Sequence, residues 1–368
     1  MSENVPIRFN RSLHWFAVLT ALFTFLLLGA GGLVTSHEAG MSVPDWPNSY
    51  GYNMFLFPPS QWIGGIFYEH THRLIASGVG LMTTILAVWL WLKDSRPWMY
   101  WVGTAAFLLV VAQGVLGGLR VVLADAQLGI FHAIIGQLFF VLTSAIALFT
   151  SRWWLDPGRW RSRRGVSGNP DRLKAELQLR GLRSLVLFTT VLIFCQLIIG
   201  ATMRQQHAGL SIPDFPLAYG KIWPDTSAVA VQSYNEHRMN VVAENPITAF
   251  QIILQMVHRL VALAILVLMA LCVGRAWRRL GRKDPLTKFA LVWLGLIVAQ
   301  VFLGAATIWS NKAADVATAH VLGGALSLVT GALWYIIATR RSTALTEIVP
   351  TTTISGAYGS ASVMAANP

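Results

Sequence analysis

Glu69-His-Thr-His-Arg73 stands at the mouth of an apolar run that continues to about Leu92. A carboxylate, two imidazoles and a guanidinium are costly at the edge of a membrane-length segment, so they mark a functional site by default. The motif His72-Arg-Leu74 reappears as His258-Arg-Leu260. That recurrence decides the fold, because it is one element of a repeat that runs through the whole chain.

Gly40-Met-Ser-Val-Pro-Asp-Trp-Pro47 returns as Gly209-Leu-Ser-Ile-Pro-Asp-Phe-Pro216, Gln113-Gly-Val-Leu-Gly117 as Gln300-Val-Phe-Leu-Gly304, and His132 as His320. The offset grows slowly, from 169 (209 − 40) through 186 (258 − 72) and 187 (300 − 113) to 188 (320 − 132). Small, smoothly increasing shifts mean two copies of one unit in the same orientation, a parallel repeat of four helices each.

Composition agrees. Of 368 residues, 55% are hydrophobic and only 12% charged, against roughly half and a quarter in soluble domains. The candidate spans are Ser12 to Thr35, Tyr68 to Leu92, Trp98 to Leu119, Leu128 to Thr150, Leu182 to Met203, Thr248 to Val273, Leu286 to Trp309 and Val316 to Ala338. Each is close to the ~20 residues that cross a bilayer. The expected fold is an all-α polytopic membrane protein of eight transmembrane helices in two pseudo-symmetric four-helix bundles. They occupy residues 1–151 and 182–341, joined by a cytoplasmic linker at 152–181 and followed by a disordered tail at 342–368.

The net charge of +12 does not point to nucleic acid, because the basic residues gather in alternate connections. Arg8 and Arg11, Lys93 and Arg96, nine residues from Arg152 through Arg183, six from Arg275 through Lys288, and Arg340 with Arg341 form one set. By the positive-inside bias that side and both termini are cytoplasmic. Arg8 and Arg11 before an apolar stretch imitate a signal peptide, but the run is too long for one and pairs with an internal helix, so it is expected to be retained. Cys195 and Cys272 lie in apolar runs on different helices and read as packing residues. Trp46, Tyr50, Trp62, Tyr219 and Trp223, in the two long outer loops, read as interfacial anchors.

Threading this topology puts His72, His132, His258 and His320 in the first turns of helices two, four, six and eight, all near the outer face. Two imidazoles facing each other across a bundle make an axial pair for haem iron, and bundle cores are where such cofactors sit. Four residues after each histidine, on the same face, stand Ala76, Gly136, Ala262 and Gly324, small enough to admit a macrocycle. A zinc site would need three or four ligands at one point, which two separated pairs do not offer. Arg73 and Arg259 could hold haem propionates by charge-assisted bonds, or snorkel to lipid headgroups. His14, His37, His70, His207 and His237 lack a matching repeat partner or face and are assigned surface or loop roles.

The halves differ at Glu69, three residues before His72, whose counterpart three before His258 is Gln255. A buried carboxylate can act as acid, base or stabiliser of positive charge, whereas an amide can only hydrogen-bond. The N-terminal bundle is therefore expected to carry chemistry and the C-terminal bundle a permanent haem. The alternative role for Glu69 is an i,i+4 pair with Arg73.

Together the Glu69-x-x-His72-Arg73 motif, the repeated Pro-Asp-x-Pro loops, His132, His258-Arg259 and His320 resemble the haem A synthase family, from about Arg11 to Arg341. The resemblance implies an oxidoreductase of cytochrome oxidase assembly that converts haem O to haem A. Two successive oxidations of a porphyrin methyl group, with water as oxygen source, would give a geminal diol that dehydrates to the formyl. It implies haem O on His72 and His132, haem B between His258 and His320, and Glu69 as the catalytic carboxylate. The expected setting is the inner membrane; the expected partners are the farnesyltransferase that makes haem O, an electron acceptor and a second copy in a homo-oligomer. Some family members carry a cysteine pair in the first outer loop; residues 36–67 hold none, which removes a thiol relay.

Two other readings compete. A non-catalytic dihaem cytochrome that takes electrons from quinol needs only the histidine pairs. A transporter needs a site open to both faces, which four histidines near one face do not provide.

Overall fold

The structure, a computed structural model, describes residues 9–125, 127–156, 170–237 and 246–346. Eight long helices dominate it: α1 (Arg11–Ser36), α2 (Gly64–Lys93), α3 (Pro97–Val122), α4 (Leu128–Phe149), α5 (Pro170–Gln205), α6 (Ala249–Leu280), α7 (Pro285–Trp309) and α8 (Ala314–Thr346). All eight are long and apolar enough to cross a membrane. Their starts follow local chemistry. The Asn10 side chain accepts the Leu13 amide at 3.1 Å, Thr248 and Gln251 form a capping box, and α3 and α7 place proline in the first turn, where its missing N–H costs nothing.

The ends differ from the sequence expectation where polar residues continue a helix. α6 runs on through Arg275, Arg278 and Arg279 to Leu280, and α5 begins at Pro170, well inside the expected linker. Of that linker, Arg152–Leu155 is one helical turn and 157–169 lie outside the described residues. The expected tail is helical to Thr346, and 347–368 also lie outside.

Each half closes on itself. α1 packs on α2 and α4, with α3 between α2 and α4; α5 packs on α6 and α8, with α7 between them. The N-terminal core holds Leu13, Leu86, Leu90, Met99 and Ile146; the C-terminal core is larger and includes Met269, Trp293 and Trp334. The halves meet where α1 and α4 pack on α8 and α4 on α5, around Phe140, Ala325 and Val329. Small residues permit that approach: a Cβ on Gly32 would lie 2.8 Å from Thr318 Cγ2.

The two long loops are built alike, and each folds back over the start of the helix that follows. Asp45 accepts the amides of Tyr50 (2.7 Å) and Gly51 (2.8 Å), and Asp214 those of Tyr219 and Gly220 at the same distances. The bonds hold a tight turn between the bridged pair Ser49 and Tyr52, and its copy between Ala218 and Lys221. Both central residues have positive φ (51° and 76°; 52° and 74°), so the second position is glycine. Tyr50 and Tyr219 return hydroxyl hydrogen bonds to the carbonyls of Ser42 and Ser211.

Burial works to raise the Asp45 carboxyl, but the Gly51 and Tyr50 amides, with the Arg73 charge, outweigh it and hold the group below the usual carboxylate range. A depressed folded pKa gives stability above the unfolded value of about 4 that disappears as pH falls through the folded value. Amide exchange at Tyr50 and Gly51 is expected to accelerate below about pH 4. In Asp45→Asn it should be fast and insensitive to pH over that interval once intrinsic exchange is subtracted.

Candidate functional site

The four repeated histidines lie 8 (72 − 64), 4 (132 − 128), 9 (258 − 249) and 6 (320 − 314) residues into α2, α4, α6 and α8. At about 1.5 Å per residue that is a band within roughly 15 Å of the helix starts. Each imidazole rests on a glycine of the preceding helix. A Cβ on Gly31 would lie 3.1 Å from His72 Cε1; on Gly117, 3.3 Å from His132 Cε1; on Gly200, 3.4 Å from His258 Cε1; and on Gly304, 3.3 Å from His320 Cε1.

Three of those helices also carry a glutamine one turn before the glycine, tied to the histidine backbone. Gln113 donates to the His132 carbonyl at 3.1 Å and Gln196 to that of His258 at 2.9 Å. With its amide turned to satisfy its neighbours, Gln300 donates to the His320 carbonyl at 2.9 Å. In the fourth copy the position is Leu27. This Gln-x-x-x-Gly device fixes the helix pair in register and seats the ring. It was missed in the sequence beyond the two copies on α3 and α7, because the α5 copy falls in an unremarkable apolar run.

The site fits a bis-imidazole metal group. The His258 and His320 rings have centroids 6.4 Å apart at 66°. Two imidazoles on opposite sides of one metal ion, with metal–nitrogen bonds of about 2.0 Å and ring nitrogens ~1.1 Å from the centroids, stand roughly 6 Å apart. The Nδ1 atoms of His72, His132 and His258 are buried without a hydrogen-bond partner. They lie against the preceding helix, 3.5, 3.7 and 4.0 Å from a Cβ built on Gly31, Gly117 and Gly200, and in the fourth copy Gln300 bonds the corresponding Nδ1 of His320 at 3.1 Å. His72 and His132 are within electrostatic reach of each other. Among the described residues no three His, Cys, Asp or Glu side chains converge on one point, which leaves a zinc-type cage without ligands. Gly136 and Gly324 are met by leucines of neighbouring helices: a Cβ on Gly136 would lie 3.6 Å from Leu28, and one on Gly324 2.8 Å from Leu197.

Glu69 and Arg73 are both buried and bond each other at 2.8 Å. The second Glu69 oxygen accepts the Val43 amide at 2.9 Å. Arg73 donates to the carbonyls of Val43 (2.8 Å), Asp45 (2.6 Å) and Asn48 (3.0 Å). In the other half Gln255 accepts the Ile212 amide at 2.7 Å and donates to the Gly209 carbonyl at 3.2 Å, while Arg259 donates to Asp214 and Leu217, both at 2.8 Å. The two arginines therefore clasp the loops rather than reach for a lipid surface. The helix-to-loop latch is common to both halves; only the N-terminal one carries an acid.

His70 corrects the sequence expectation of a surface role. It is fully buried, within hydrogen-bond distance of Ser49 Oγ (3.2 Å) and boxed by Phe57 and Trp62. The reason is the folded-back loop, which covers the first turns of α2. The same packing takes Trp46 onto Gly118 of α3 and Tyr219 onto Tyr234 with centroids 3.6 Å apart. His37 stacks on Tyr68, His207 lies 3.9 Å from Glu38, His14 reaches Thr150 at 3.3 Å and His237 bonds its own helix, all peripheral.

Comparison with known proteins agrees with this architecture. The chain matches the family model described as Cytochrome oxidase assembly protein over residues 61–332. It is 23% identical to the Heme A synthase of Shewanella oneidensis over 86% of this chain and 94% of that one. It is 26% identical to the Heme A synthase of Alkalihalophilus pseudofirmus over 89% and 97%. With the Heme A synthase of Shouchella clausii it shares 26% over 61% and 70%. A match across most of the chain, spanning both histidine pairs, means that this protein belongs to the cytochrome oxidase assembly protein family, the haem A synthase family to which its sequence motifs point.

Proposed function

We propose that the protein is a haem A synthase, oxidising the porphyrin methyl group of haem O to a formyl group in two successive hydroxylations with water as oxygen source. The observation that carries this reading is a chemical difference at the same place in two sites built alike. Both have a histidine pair seated on glycines and a clasped loop, and one has Glu69 where the other has Gln255. His72 and His132 hold the substrate haem O, and His258 and His320 hold a resident haem B. The resident haem supplies one-electron chemistry when bound, and the electrons leave to an acceptor outside the chain.

The protein's own groups position and exclude. The glycines under the rings set the imidazole planes, the glutamines lock the helix pairs, and the loops held by Arg73 and Arg259 cover the helix starts where the histidines sit. Glu69 is the group able to take a proton from the attacking water or offset positive charge in the reacting macrocycle. Both termini face the cytoplasm and the haem sites lie toward the outer face of the inner membrane. The substrate comes from the farnesyltransferase that makes haem O.

Co-expression with a haem O synthase should yield haem A in extracted pigments. Two chemically unchanged haems B, with no haem A, would instead identify a dihaem cytochrome. The glycine seats provide an independent check. Gly304→Leu should displace His320 and abolish the bis-histidine absorption spectrum of the C-terminal haem. Gly295→Leu on the same helix, where a Cβ meets nothing within 4 Å, should leave it unchanged.

A further inference from the structure

Arg120, in the last turn of α3, is a half-buried cation that neither the histidine pairs nor the loop clasps use. Its side chain threads between the loop and the start of α4. A Cβ on Gly40 would lie 2.6 Å from its Nη2, and one on Gly129 3.2 Å from its Nε. Among the described residues it has no hydrogen bond or ion pair, and its Nε is buried without a partner. A guanidinium carries five donors and no acceptor, and leaving it desolvated and unpaired is costly.

Its neighbours are cations and histidines. Arg120 interacts electrostatically with both His72 and His132, and with Arg204 at the end of α5. Arg204 spends one nitrogen on the Gly32 carbonyl (2.5 Å) and Ser36 Oγ (2.6 Å), one residue from the glycine beneath His72. Lys312, in the turn between α7 and α8, is the third cation; burial, partly relieved by Glu38 and reinforced by Arg204, holds it below the usual lysine range. Glu69 lies within electrostatic reach of Arg120, but its oxygens are committed to Arg73 and Val43. Among the described residues the matching position of the C-terminal half carries no cation. Thr307 stands at the position of Arg120 (307 − 120 = 187) and bonds its own helix at Leu303.

We propose that Arg120, with Arg204 beside it, is the carboxylate-recognition site of the N-terminal bundle and takes a propionate of the tetrapyrrole held by His72 and His132. This rests on the haem reading of that histidine pair. It assigns the anionic edge of the substrate to a cation whose matching position in the other half is Thr307, and it leaves Arg73 to the loop. The site also distinguishes the two bundles: a tetrapyrrole that must enter and leave is gripped by a charge, whereas the resident one is held by its ligands and the loop.

The test is titration of the full-length protein in lipid nanodiscs, with the C-terminal haem in place, using haem B and haem B dimethyl ester as probes. The wild type should bind the free acid about tenfold to hundredfold more tightly than the ester, the range for charge-assisted bonds. Arg120→Gln should lower acid affinity to that of the ester and leave ester binding unchanged, and Arg120→Lys should recover part of the difference. An unaltered C-terminal haem spectrum shows that each variant is folded. Equal binding of acid and ester by the wild type would overturn the proposal, as expected if a lipid phosphate occupied Arg120. An equal loss of both probes in Arg120→Gln would do the same. If His72→Ala and His132→Ala leave uptake unchanged, the haem reading itself falls, an outcome separate from the acid–ester comparison.

Discussion

Glu69→Gln is expected to leave a folded, haem-loaded protein whose conversion of haem O to haem A is lower by about 10²- to 10⁴-fold, the usual contribution of a positioned acid or base. The structure makes this variant more informative than alanine. Gln255 already shows that an amide at this position accepts the loop amide (Ile212, 2.7 Å) and donates to a loop carbonyl (Gly209, 3.2 Å). Glutamine at 69 can therefore keep the latch on Val43, while alanine would leave the buried Val43 amide without its acceptor; both remove the charge beside Arg73, which retains the carbonyls of Val43, Asp45 and Asn48. If Glu69 only latches the loop, glutamine should work nearly as well as glutamate. Wild-type turnover by Glu69→Gln, measured as haem A in extracted pigment per enzyme, would sink the catalytic assignment.

His258→Ala and His320→Ala should each remove the bis-histidine spectrum and leave the C-terminal bundle without tightly held haem. The rings are 6.4 Å apart, each pinned on its glycine, so no other side chain can slide into the vacated ligand position without moving a helix. Removing either imidazole also opens space in a packed bundle. Haem content of the purified protein, determined as the pyridine complex, should fall to the N-terminal site alone. An unchanged content with an unchanged spectrum would refute this ligand pair. His72→Ala is expected to behave differently, keeping the C-terminal spectrum and losing turnover.

The eight helices and the repeat were legible because hydropathy and duplication are properties of the sequence itself. The four repeated histidines were legible for the same reason, since each appears at the same place twice. What the sequence did not reveal depends on the backbone. Arg73 and Arg259 donate to carbonyls, which every residue possesses, so no pattern of side chains announces the clasp. His70 reads as a surface residue until the loop closes over it. Gly117 and Gly304 stood out as the ends of a repeated motif, but Gly31 and Gly200 were hidden among 31 glycines, and only the histidine rings lying against all four show them to be seats. The helical start of α5 at Pro170 was hidden by charge, because a search for apolar spans stops where polar helix begins.

The bond from Arg204 to the Gly32 carbonyl and Ser36 bears on how such a chain could have arisen. By the repeat, the residue matching Arg204 is Thr35 (204 − 169), and its hydroxyl bonds the Gly31 carbonyl of its own helix at 3.0 Å. Two identical half-length chains, each a copy of the N-terminal half, could assemble side by side but could not make this contact. Arg204 is therefore a position at which the two halves have diverged, and the contact it makes joins one half to the other. Splitting the protein at the connection between α4 and α5 should yield fragments that reconstitute only as the unlike pair.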